Sequence, residues 1–222
     1  MTATWELDHV FVCSDVGAPA AARLMALGLV EGSGNIHPGQ GTACRRFFFH
    51  NAMLELLWVR DPIEACCRNI DRTGLWRRWS GRRGGACPFG LCTRPASGRA
   101  ALPPFASWDY RPPYLPEPRV IAMGLNSPQV GEPLLFHLGF GRRPDAVARE
   151  PLAHSAGLRE LTRITIATPQ TQEPSPELRT LLAAGLLRLE RASAYLMTLS
   201  FDGEGAAAGA DLRPDLPLML RW

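Results

Sequence analysis

Leu7-Asp8-His9-Val10-Phe11-Val12 opens the block of sequence whose reading decides the fold. Apolar residues occupy both faces of this run, as in a strand covered on two sides. Gly17 to Leu27 has alanines and leucines at helical spacing, and Gly28 stands where a C-cap glycine would. Val30 to Ile36, Ala43 to Phe49 and Met53 to Val59 read as three further strands, the last two a hairpin about His50-Asn51. The order is strand, helix, strand, strand, strand. It returns near the C-terminus with Leu161-Thr162-Arg163-Ile164-Thr165-Ile166, the helix-like Ser175 to Ala184, and three runs closing on Leu216-Pro217-Leu218-Met219-Leu220-Arg221-Trp222. The first block carries a histidine on its opening strand and a glutamate on its last; the second has Arg163 and Met219 there.

The predicted fold class is α+β, with βαβββ blocks forming a curved mixed sheet around a central cleft. A helix covers one face of such a block, so the other must be buried elsewhere, and pairing two blocks leaves a concavity suited to a small molecule. The expected organisation is one continuous structural domain: 1–60 as the first block, 61–157 as a connection, and 158–222 as the second block. Within the connection, Pro62 to Trp79 is predicted helical. Pro88 to Thr93, Val120 to Leu125 and Leu134 to Leu138 are predicted strands. The proline-rich stretch between Pro103 and Pro118 cannot be regular helix.

At 222 residues, 46% hydrophobic and 20% charged, the chain has the balance of a globular protein with a core of its own. No apolar run is long enough to span a membrane, and no basic segment precedes an apolar stretch at the N-terminus, so a cytoplasmic location is expected. All the basic side chains are arginine; the absence of lysine excludes Schiff-base chemistry and a phosphate-loop lysine. A net charge of +3 does not point to nucleic acid. Arg68, Arg72, Arg77, Arg78, Arg82 and Arg83, close to Trp76 and Trp79, read as a solvated helix face rather than a nucleic-acid site. The six cysteines lack paired C-x-x-C spacing and are expected as buried thiols, without structural zinc. Nucleophile elbow, phosphate loop and dinucleotide fingerprint are all missing, so no nucleotide cofactor is expected.

The chemistry centres on His9 and Glu55. Glu55 is the one charged residue between Met53 and Val59, so once buried it needs a metal, an arginine or a proton. An imidazole and a carboxylate on adjacent strands make half of a divalent-metal site. The competing arrangement pairs Glu55 with Arg45 or Arg46 and leaves His9 hydrogen-bonded in the core. The period of two puts Leu7, His9, Phe11 and Cys13 on one face. His37, in a Gly/Pro turn beside Gln40, reaches either a cleft mouth or a local hydrogen bond. Arg46 shares a face with Phe48, and an arginine beside aromatics in a cleft suits an anionic ligand. Trp108 and Arg111, with Phe105, Tyr110 and Tyr114, lie on the proline-rich stretch, read either as an aromatic lid or as a packed connection.

Leu7-Asp8-His9-Val10, Asn35-Ile36-His37-Pro38-Gly39-Gln40-Gly41-Thr42, Arg45-Arg46-Phe47-Phe48-Phe49 and Leu54-Glu55-Leu56-Leu57-Trp58 resemble the glyoxalase-like branch of the vicinal oxygen chelate superfamily. The resemblance covers about the first quarter of the chain closely and the rest in element order only. It implies paired βαβββ modules around a cup-like cleft, with Mn, Fe, Ni or Zn held by a His or Gln on a module's first strand and a Glu on its last. His9 and Glu55 occupy those positions, and both are the implied catalytic residues. The other half departs from the pattern. A second module over 158–222 offers Arg163 and Met219; one opening at Pro88 would close with His137, the third candidate metal ligand. Arg46, His37, Phe48, Trp58, Trp108 and Arg111 are the candidate ligand contacts.

The leading expectation is therefore a metal-dependent lyase, isomerase or dioxygenase type of enzyme acting on a small organic molecule. The alternative is a metal-free protein that binds or sequesters such a molecule, and a third is a purely structural dimer module. A small-molecule ligand is the expected partner, a homodimer is left open, and neither nucleic acid nor membrane is expected.

Overall fold

The computed structural model describes residues 4–96, 102–147, 149–203 and 208–222. It is a mixed α+β fold made mostly of sheet. The elements in order are β1 (Trp5–Cys13), α1 (Ala21–Ala26), β2 (Asn35–His37), β3 (Thr42–Phe48), β4 (Met53–Val59), α2 (Pro62–Ala65), α3 (Arg68–Asp71), α4 (Leu75–Gly81), β5 (Phe89–Pro95), β6 (Ser107–Tyr110), β7 (Ile121–Gly124) and β8 (Leu134–His137). After them come α5 (Pro144–Val147), β9 (Leu161–Thr168), α6 (Pro176–Ala183), β10 (Leu187–Arg191), β11 (Leu196–Phe201), β12 (Gly209–Asp211) and β13 (Leu218–Arg221).

A curled eight-stranded sheet, a half-barrel, runs β2-β3-β4-β1-β5-β8-β7-β6. Its two halves repeat one pairing scheme. In the first, β1 lies parallel to β4, which is followed outward by antiparallel β3 and β2. In the second, β5 lies parallel to β8, followed by antiparallel β7 and β6. The opening strands β1 and β5 join the halves in antiparallel register.

The repeat of the first block's strand order thus falls in Phe89–His137, not in 158–222 as the element order suggests. The C-terminal sheet runs β10-β9-β11-β13-β12. There α6 returns the chain to a strand lying beside and parallel to β9, so β9 never meets the closing strand β13. Both blocks open strand, helix, strand, strand, but four strands follow the helix in the C-terminal block where three do in the first, and the pairing differs.

Two layers of side chains bury the curled sheet. On the convex face, Val10, Val12, Leu54, Leu56, Phe89, Leu91 and Leu135 pack against α1 and the inner face of the C-terminal sheet, including Ile164, Ile166, Met197 and Leu199. On the concave face, Phe11, Cys13, Cys44, Leu57, Met123 and Leu134 meet Ile70 and Leu75 from the helical segment. The helix predicted over Pro62 to Trp79 is three short helices, broken at Cys66 and at left-handed Gly74. Asp61 caps the first by accepting hydrogen bonds from the Ile63 and Glu64 amides. The proline-rich stretch holds an unpredicted strand, β6, at the sheet edge, the place where flanking prolines are tolerated.

Gly28, at φ +93°, lets the 155–156 segment pass so close that a Cβ there would lie 2.5 Å from Ser155 Oγ. Gly90 on β5 is more directly tied to the concave face. A Cβ at Gly90 would lie 2.1 Å from the Phe11 ring, which crosses the β5 backbone at that point. Gly90→Ala is expected to displace Phe11 into the cavity described below and cost about 1–3 kcal/mol. Thermal denaturation checks this, and an unchanged midpoint would contradict the packing.

Candidate functional site

The concave face encloses a cavity of about 390 Å³. Most of its polar side chains come from the first half of the sheet, while the second half, with Phe11 and Leu57 from the first, supplies the apolar wall. Asp8, His9, His37, Gln40, Arg46 and Glu55 lie on one side; Ile121, Met123, Leu134 and Phe136 lie on the other.

A β-bulge builds the polar wall. The β1–β5 register shifts between Leu7 and His9, leaving Asp8 as the extra residue. Leu7 is thereby turned to the convex core, while Asp8 and His9 both line the cavity. The simple alternation expected for Leu7, His9, Phe11 and Cys13 fails at Leu7 for this reason. On β4 alternation is regular, and Met53, Glu55 and Leu57 all face the cavity.

These residues form a connected chain of charge. Arg94, 1% exposed, is bonded to Glu6 at 2.9 Å, to the Asn51 carbonyl at 2.6 Å and to Asp8 at 3.4 Å. Asp8 Oδ1 lies 2.6 Å from His9 Nδ1. His9 Nε2 then faces Glu55 Oε2 at 3.8 Å, and the Cys44 thiol donates to Glu55 Oε1 at 3.6 Å. Burial opposes charge on His9, but the Glu55 and Asp8 carboxylates outweigh it and raise its pKa. Burial, aided by Glu55, raises Cys44, and burial raises Cys92, so both stay thiols.

His37 is held locally and also lines the cavity. Its Nε2 meets Asn35 Nδ2 and its Nδ1 meets Thr42 Oγ1, each at 2.9 Å. Gln40 completes this end, donating to Thr42 Oγ1 at 2.7 Å and accepting from the Tyr110 and Tyr114 hydroxyls at 3.0 and 3.4 Å. Burial lowers the His37 pKa.

In metal-free protein, then, the imidazole resonances of His9 and His37 are expected to titrate on opposite sides of the ordinary value of about 6.5. The stability contributed by His9 is fully present below about pH 6.5 and lost as pH rises through its raised folded value. That contributed by His37 is fully present above about pH 6.5 and lost as pH falls through its lowered value. NMR titration checks the order, and a reversed order would contradict the electrostatics.

The structure brings together His9, Glu55, His37 and Arg46 among the residues singled out by sequence, and places the others elsewhere. Phe48 lies under the Arg46 guanidinium, 5.1 Å from it, and walls a smaller adjoining pocket. Trp58 packs against the convex core, because it falls between cavity-facing positions of β4. His137 likewise alternates with Leu134 and Phe136, and its Nδ1 is 2.9 Å from Thr93 Oγ1 on the far side of the sheet from the cavity. It is not brought to His9 and Glu55. Trp108 sits beneath Arg72 at 4.1 Å and donates to Ser127 Oγ, outside the cavity wall. Arg111 is exposed and lies 3.6 Å from Asp109. Tyr110 and Tyr114 are the aromatics of that stretch that do reach the cavity. The residues sequence reasoning missed are Asp8 and Cys92; Asp8, His9 and Cys92 have donor atoms within 4.8 Å of one another and could hold a metal ion.

The donor set fits a divalent ion in a limited way. Bonds of about 2.0–2.2 Å from each donor can span the gap between His9 Nε2 and Glu55 Oε2. Asp8, 2.6 Å from Nδ1, stands where an outer carboxylate would orient the imidazole of a ligating histidine. Among the described residues no helix is long and apolar enough to cross a membrane.

No family model and no curated protein matches the sequence. Among solved structures, the chain is similar to a hypothetical protein from Staphylococcus aureus, with a TM-score of 0.53 and 9% identity, over 97% of this chain and 98% of that one. At that identity the likeness is one of fold.

Proposed function

We propose that the chain is a glyoxalase-like, vicinal-oxygen-chelate type of enzyme that acts on a small organic molecule in the concave cavity, with a divalent metal held by His9 and Glu55. The observation that carries this reading is the 3.8 Å approach of His9 Nε2 to Glu55 Oε2 at the cavity wall, with Asp8 bonded to the back of the imidazole. The repeated strand scheme of the two sheet halves supports it, because the cleft then lies between two like units.

When bound, the metal would supply Lewis acidity toward a substrate oxygen. The chain's own residues do the rest. Asp8 fixes the His9 ring through Nδ1, so that Nε2 alone points at the cavity. Glu55 is placed to ligate or to take a proton from substrate, and the Cys44 thiol steadies its other oxygen. Phe11, Leu57, Met123, Leu134 and Phe136 exclude water from the apolar wall. Protein loaded in turn with Mn, Fe, Ni and Zn should turn over at least one lyase, isomerase or dioxygenase substrate, and His9→Ala should not.

A second reading, metal-free binding of the same class of molecule, is favoured by the second half-sheet. On its closing strand Phe136, paired with Cys92 as Glu55 is with Phe11, offers an apolar ring to the cavity where a second acid would stand. Tight binding without turnover or metal dependence would establish that reading over the first.

A further inference from the structure

The cavity has a charged mouth as well as an apolar floor. Arg46, from β3, and Arg142, from the segment after β8, both line it. Asp8, Met53 and Arg142 also wall the adjoining pocket of about 200 Å³, which includes Phe48, the ring under Arg46. The two guanidiniums therefore stand at the same end.

The fixed acids at that end already have partners. Asp8 is bonded to His9 and Arg94. Glu150 accepts from the Ser33 amide and hydroxyl. Arg46 is braced: its Nε and Nη2 donate to Ser33 and to the Gly34 carbonyl. Stacking on Phe48 holds its plane. Among the described residues it makes no direct ion pair, although Glu150 lies close, bonded to the same Ser33 hydroxyl and, against burial, held below the usual carboxylate range by its Ser33 bonds and by Arg46; Arg46 itself lines the cavity. A braced planar fork above an apolar pocket is suited to a carboxylate on an apolar body. At about 390 Å³ the space is near the small end of ligand pockets, which fits one ring with a short side chain.

We infer that the ligand class is an amphipathic organic carboxylate, its ring or branched body on Phe11, Leu57 and Phe136 and its carboxylate on Arg46, with Arg142 closing the mouth. This rests on the reading of the cavity as a small-molecule site and is independent of whether a metal is bound there.

The test is calorimetric titration of the full chain, as purified and after chelator treatment, with phenylacetate and its neutral isostere phenylacetamide. Phenylacetate should bind at least about tenfold more tightly in both preparations. Arg46→Gln should remove about tenfold of that preference and leave phenylacetamide unchanged; Arg142→Gln should reduce it less, because that side chain is exposed. Thermal midpoints of both variants control for folding. Equal affinity for the two probes, no binding of either, or a preference that survives both substitutions would overturn the inference. Metal bound by His9 and Glu55 in a protein without acid preference would overturn it while leaving the metalloenzyme reading standing.

Discussion

Arg78→Met is expected to destabilise the protein by about 3–5 kcal/mol, a larger effect on stability than that of Gly90→Ala. Arg78, read from sequence as part of a solvated helix face, is instead fully buried, and its guanidinium donates to the carbonyls of Ser127, Gln129, Val130 and Glu132. Those carbonyls belong to the connection between β7 and β8, a segment with no ladder of its own. Methionine keeps most of the apolar stem but removes the donors that tie four carbonyls of this connection to one buried point. Lysine should rescue poorly, since one ammonium cannot span what the planar fork spans. Urea denaturation gives the free energy, and the thermal midpoint should fall by roughly 10 °C. The same connection sets the position of Leu134 and Phe136, so apolar ligand binding should weaken with it. A loss under about 1 kcal/mol would mean that the segment is held by something other than this guanidinium.

The largest functional effects are expected at His9, Glu55 and Asp8. His9→Ala and Glu55→Ala each remove one of the two facing donors, and metal affinity should fall by about a hundredfold or more. Asp8→Asn leaves both donors in place but weakens the hold on Nδ1 and takes away a charge that raises the His9 pKa. An outer-shell change of this kind should cost about 10–100-fold in affinity. His137→Ala should leave metal binding unchanged, because that ring lies on the opposite face of the sheet. Cys92→Ser separates two geometries. A large loss would place the ion on the Asp8–Cys92 side of the imidazole, and little change would place it on the Glu55 side. Competition titration against a chromophoric chelator measures all five.

The first half of the sheet was legible in sequence because its signals are local. The near-continuous apolar run Met53–Val59 and the short His50–Asn51 turn define β3 and β4, and the lone acid in that run marks Glu55. What was not legible is either non-local or depends on one extra residue. The bulge at Asp8 leaves no composition signal, yet it reverses Leu7 and brings Asp8 to the site. In the second half-sheet β5, β7 and β8 were legible as apolar runs, but β6, four residues among prolines, was not, and without it the repeat of the first half could not be completed. The C-terminal block misled for the opposite reason: its apolar runs suggest the order of the first block, but a further short strand, β12, intervenes and pairing is decided by which faces need burial, and these strands cover the convex core. His137 is placed off the cavity by strand parity, since its neighbour Phe136 is the residue that faces it.

The central claim, that His9 and Glu55 hold a metal against the cavity, is tested most directly by metal content. Protein purified without a metal-affinity tag would be analysed by mass spectrometry beside His9→Ala and Glu55→Ala. The account predicts about one equivalent of a divalent transition metal in the wild type and its loss from both variants. A wild type that holds none after reconstitution with manganese, iron, nickel and zinc, or variants that retain it in full, would contradict the account.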